Sequence, residues 1–180
     1  MRSIALSSSR SKPHVAPFVG PPWYVAAAWL VAAVVAQATV VHYLAFRNVV
    51  PSFVLVVVIW YAIRVDARRA ALYGLAAGFC EDALSAQTGA AWTIATALSA
   101  LLAGILSRGF FADSLPLAAG ITIAATLVRA LLFWIVMALE GYPSGLGAMH
   151  FHEALLQTLL NAAVIVVAMI VMRRFDVSRT

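Results

Sequence analysis

Six apolar stretches separated by short polar breaks make up most of the chain. They run Pro22 to Leu44, Val50 to Ile63, Ala70 to Leu84, Gly89 to Leu106, Leu115 to Leu139 and Glu153 to Met172. A helix needs about 20 residues to cross the hydrocarbon of a bilayer. The second and third stretches are short by that measure. Pro51 falls in the first turn of the second, where a missing N–H does no harm. The valines of Val54 to Val58 would favour a strand in water. In lipid the backbone must satisfy itself, which favours a helix. A membrane barrel would alternate polar with apolar residues, and that alternation is missing. Arg64 and Arg69 bound the second and third stretches, so these two form a tight helical hairpin. The pattern predicts an all-α polytopic membrane protein with six transmembrane helices.

Composition agrees. Only 11% of the 180 residues are charged, 64% are hydrophobic and the mean hydropathy is +0.96. A soluble domain carries about 25% charged residues. The length suits one membrane domain, 22–172, flanked by tails at 1–21 and 173–180. The first tail is polar, with serines and prolines, and reads as disordered and cytoplasmic. The apolar run after it is about twice as long as a signal-peptide core, so it is taken as a retained span despite Ala36-Gln37-Ala38. The single cysteine, Cys80, excludes an internal disulfide framework and reads as a small buried residue.

Charge placement sets an orientation. With the N-terminus inside, Arg2, Arg10, Lys12, Arg64, Arg68, Arg69, Arg108, Arg173, Arg174 and Arg179 all fall on the cytoplasmic side. Arg47 alone falls outside, and Arg129 lies within the fifth span. The positive-inside rule therefore places both termini in the cytoplasm. It also accounts for the net charge of +5 through contacts with lipid heads, without nucleic acid.

Intramembrane polar residues are expensive, so each needs a partner or a task. Asp82 lies about 18 Å and Arg129 about 21 Å from the inner edge, counting 1.5 Å per helical residue. Glu81 adjoins Asp82, Gln37 lies at a similar height, and Gln157 and Asn161 share a face of the sixth span. Thr93 and Thr96 line the start of the fourth. In the preferred reading Arg129 pairs with Asp82 or Glu81, and the amides complete the hydrogen bonds. In the other, the cluster lines a cavity open to the outside that binds a small polar ligand. Gly74 and Gly78 allow a close helix approach, with Ala97, Ala100 and Gly104 as a plausible mating row. His150-Phe151-His152-Glu153 is read as an external loop and Ser144 as part of it, with His42 at the interface. No hydrolase, zincin or phosphate-loop motif occurs. No enzymatic activity, cofactor or metal is expected.

Order and spacing resemble the MreD family of rod-shape-determining membrane proteins. The resemblance rests on the Arg47 loop, Pro51, the basic hairpin Arg64 to Arg69, and the signature Gly78, Asp82, Ser85 followed by Gly89. Ala86 and Thr88 stand where the family often has glycine and leucine. The resemblance implies a non-enzymatic scaffold of the bacterial elongation machinery in the inner membrane. It implies binding to MreC, a single-span protein, and through it links to MreB, RodA and a class B penicillin-binding protein. The MreD fold is in turn similar to the six-helix substrate-binding subunits of energy-coupling-factor transporters. That makes a vitamin-binding subunit the alternative, with Ala28, Ala32 and Ala36 facing a coupling helix.

Overall fold

The computed structural model describes residues 20–85, 89–108 and 114–177. The proposed N-terminal tail lies almost wholly outside these, as do Ala86, Thr88 and the side chains of His42, Ser144 and Arg173. The described residues form six α-helices and no strand: α1 Trp23–Thr39, α2 Phe53–Ala62, α3 Ala67–Ser85, α4 Ala91–Leu106, α5 Leu115–Leu139 and α6 Gly147–Val177. Among the described residues, only α5 and α6 are long and apolar enough to cross a membrane by themselves. Among the rest, α1, α2 and α4 are shorter apolar helices.

The second helix is the hub. It has 10 residues, so it is about 15 Å long. It is apolar on all sides, which suits a helix enclosed by its neighbours over most of its surface. Val54, Val56 and Val58, with Leu55 and Ile59, are almost completely buried. It touches each of the other five helices. Those five form a ring, α1 on α3, α3 on α4, α4 on α5 and α5 on α6. The ring stays open between α6 and α1, where an apolar groove of about 270 Å³ exposes one side of α2.

Several boundaries differ from those the hydropathy pattern suggests. The first stretch ends its α-helix at Thr39, and Val41–Leu44 is a 3-10 turn. The second begins its helix at Phe53, so Pro51 precedes the helix instead of opening it. Ser52 is the N-cap, its Oγ accepting from Leu55 N–H at 3.2 Å. Proline holds the residue before it extended, and serine is a strong cap, so the helix starts late. The sixth helix begins at Gly147, six residues early, and places His150, Phe151, His152 and Glu153 on a helix, not in a loop. At its other end it continues through Arg173 and Arg174 to Val177.

The turns explain the packing direction. Arg47 and Asn48 have φ of 50° and 66°, and Phe46 and Val49 exchange backbone hydrogen bonds of 2.8 and 2.9 Å. That is a two-residue reversal of the primed type. At the other end, Asp66 caps α3 by accepting from Arg68 and Arg69 N–H, both at 3.1 Å. The six helices alternate, so the bundle has a hairpin end, with Arg64 to Arg69, and a distal end, with Arg47.

Candidate functional site

The glycine row on α3 sets the closest helix contact. A Cβ at Gly74 would lie 2.6 Å from Ala100 Cβ and 2.9 Å from Thr96 O. One at Gly78 would lie 2.6 Å from both Thr93 Cα and Trp92 O. Gly104 of α4 answers against Ala67 and Ala70 of α3. The two small-residue rows thus interlock.

Asp82 continues the stripe one turn beyond Gly78. It meets the bare N-terminus of α4, whose own N-cap residue, Ala90, supplies no side-chain bond. Its carboxylate accepts from Trp92 N–H at 3.1 Å, Thr93 N–H at 2.8 Å and the Thr93 hydroxyl at 2.6 Å. A carboxylate there satisfies orphan amides and complements the helix dipole. Removing a cap costs about 1 kcal/mol. Asp82→Ala should therefore lower the melting temperature by about 2–4 °C, and Asp82→Asn by less. Equal melting of wild type and Asp82→Ala would show that the cap contributes nothing.

Glu81, one residue earlier, faces the bundle interior. Its Oε1 pairs with Arg129 Nη2 at 2.6 Å, and both side chains are buried. Thr96 bridges the pair, accepting from Arg129 Nε at 3.0 Å and donating to Glu81 Oε2 at 3.1 Å. Arg129 Nη1 donates to Ser52 Oγ at 3.2 Å. The guanidinium lies 4.3 Å from the centre of the Trp92 ring. Of the two acids adjacent in sequence, Glu81 is the ion-pair partner and Asp82 the cap.

The amides serve the backbone instead of the ion pair. Gln37 Oε1 accepts from Phe53 N–H at 2.7 Å, and Asn161 Oδ1 from Ser52 N–H at 2.7 Å. Gln157 Nε2 donates to Val50 O at 3.0 Å, and Asn161 Nδ2 to Thr126 Oγ1 at 3.2 Å. Because α2 starts late, its first peptide groups lie inside the bundle with no helical partner. Side chains from α1 and α6 supply what water cannot. Ser52 joins this set to the ion pair. The sequence pattern does not reveal Ser52, Thr126 or Trp92 as members.

Above the ion pair is a distal pocket of about 250 Å³ lined by Asn48, Trp92, Arg129, Phe133, His150 and Gln157 among others. Phe133 stacks on Trp92 at 4.0 Å and on His150 at 5.4 Å. His150 Nε2 lies 3.0 Å from Ala130 O, a contact that needs a proton on Nε2. Phe133 is four residues after Arg129, so the shared face is readable from spacing. No group of three metal-ligating side chains occurs among the described residues.

The fold and its interior define an all-helical membrane protein whose buried charges are matched within the chain. The family model for "rod shape-determining protein MreD" matches residues 20–176. The chain therefore belongs to the MreD family, a membrane-associated family of rod shape determination. Searches of characterised proteins and of solved structures found no match.

Proposed function

We propose that this protein is a non-enzymatic scaffold of the bacterial cell-elongation machinery. It spans the inner membrane with six helices, both termini cytoplasmic, and holds an MreC-like single-span protein. Through that partner it acts on MreB, RodA and a class B penicillin-binding protein, and so on peptidoglycan synthesis. The carrying observation is the family match over 20–176. The interior supports it: Glu81, Arg129, Gln37 and Asn161 all bond within the chain and hold α2 in place. The arginines of the hairpin end support the orientation.

The distal pocket favours a second reading, a vitamin-binding subunit of an energy-coupling-factor transporter. Against it, ligand pockets usually exceed about 300 Å³, and the arginine on this pocket's wall is already paired with Glu81. Affinity purification from native membranes separates the two. Recovery of an MreC-like protein with wall-synthesis enzymes is the expected result. Recovery of paired ATPases with a retained vitamin would overturn it.

A further inference from the structure

Glu153, in the second turn of α6, is partly buried, yet no hydrogen bond or ion pair to its carboxylate occurs among the described residues. A carboxylate drawn out of water is paired as a rule, because lost hydration has to be replaced. The bundle does this for Glu81 with Arg129 and for Asp82 with the first amides of α4. Glu140, at the C-cap of α5, is exposed and keeps its water.

Glu153 lines two adjoining cavities. One is the distal pocket above the ion pair, and the other, of about 320 Å³, lies between α5 and α6. Phe133 and His150 are common to both. The second adds Trp134, Tyr142 and Ser85. Its rings form a connected set: Trp134 lies 5.8 Å from His150 and 6.5 Å from Tyr142, edge-on to the latter. No lysine lines either cavity, and the arginine on their walls, Arg129, is neutralised by Glu81. Arg47 lies over Phe46 and lines neither. The cavities thus combine one uncompensated negative charge with several ring faces.

Ring faces carry negative quadrupole charge and attract cations, most strongly when water is excluded. A carboxylate beside them selects the same sign. An inorganic cation fits less well. It needs several hard donors, whereas His150 Nε2 is engaged with Ala130 O and no trio of metal-ligating side chains occurs among the described residues. An organic ammonium uses both the carboxylate and the rings. We propose that the α5–α6 cavity is a binding site for one organic ammonium group, held by Glu153 against the rings of Phe133, Trp134 and Tyr142. Leu146 and Met149 of its wall are exposed, so the group can arrive on a lipid headgroup or as a free amine. The site does not depend on the scaffold reading.

Two measurements on the detergent-solubilised full chain test this and separate the sources. In native mass spectrometry with equal amounts of dioleoyl phosphatidylethanolamine and dioleoyl phosphatidylglycerol, wild type should retain one phosphatidylethanolamine, preferred about fivefold. In thermal unfolding, ethanolammonium chloride should raise the melting temperature by about 2 °C over sodium chloride of equal ionic strength. A lipid preference without the salt effect assigns the group to a headgroup, and the reverse assigns it to a free amine. Glu153→Gln should abolish whichever effect wild type shows. It removes no bond of the bundle, so it should elute and melt as wild type does without ligand. Trp134→Leu keeps the charge and removes a ring face, and should weaken the same effect about fivefold. Absence of both effects in wild type overturns the site. So does an effect that persists in Glu153→Gln, or a melting shift produced by magnesium chloride and not by ethanolammonium.

Discussion

Replacing Arg129 with methionine should lower the melting temperature of the solubilised protein by about 10 °C. The substitution removes one partner of a buried pair and leaves Glu81 facing α5 uncompensated. Breaking a buried pair in this way costs about 3–5 kcal/mol, which in a chain of this length is about 10 °C. Glu81→Leu should do comparable harm, because it strands the guanidinium. The double variant should melt well above the sum of the two losses. A buried ion pair replaced by apolar residues of similar volume is often neutral or stabilising. Thr96 would be left without its bridge, but it can turn to a carbonyl one turn back, as Thr122 and Thr126 already do at 2.7 and 2.8 Å. Strictly additive losses across the cycle would show that the pair is not an interacting unit. The readout is thermal unfolding by intrinsic fluorescence, with monodisperse elution as the check on fold.

Gly78→Ala should also destabilise, while the same change at Gly120 should not. At Gly78 the added carbon meets the backbone of α4 at 2.6 Å, and backbone cannot rotate away. The helices must separate, and overpacking of that kind costs about 1–3 kcal/mol. The displacement falls on the first turn of α4. That turn carries the amides bonded to Asp82 and the indole beside Arg129. Its damage should therefore combine with that of Asp82→Ala less than additively. At Gly120, on α5, nothing lies within 4 Å of a new Cβ. There alanine is expected to be neutral or to stabilise by up to about 1 kcal/mol, the usual helix-propensity difference. A melting temperature for Gly78→Ala at or above that of Gly120→Ala would refute the close contact.

How far the sequence discloses this arrangement depends on what each residue speaks to. The five outer helices are legible because lipid demands apolar side chains, and hydropathy counts side chains. The pairing of Gly74 and Gly78 with Ala97, Ala100 and Gly104 is legible because close approach needs small residues at helical spacing. The task of Gln37, Gln157 and Asn161 is harder to read. They answer to backbone groups of residues 50–53, and peptide N–H and C=O groups leave no trace in composition. The clue was Pro51-Ser52, which delays the start of α2 and exposes those groups. The division of labour between Glu81 and Asp82 is hidden for another reason. Adjacent helical residues point about 100° apart, and only the position of α4 decides which of them faces α5. The signature Gly78, Asp82 has a physical sense once α4 is in place. The first admits that helix and the second caps it.

The capping of Ser52 N–H by Asn161 also has a consequence for biosynthesis. Its two ends lie 109 residues apart in the chain. At ordinary translation speed Asn161 is made roughly 5–20 s after Ser52. During that interval the start of α2 has Gln37 available, but not the α6 amides. Its peptide groups then have to remain at the aqueous border or borrow a partner. The central helix of the finished bundle is thus the one whose placement is completed last, when the final segment leaves the ribosome. A nascent chain halted before Asn161 should remain a substrate for membrane quality control, however hydrophobic its first five segments are.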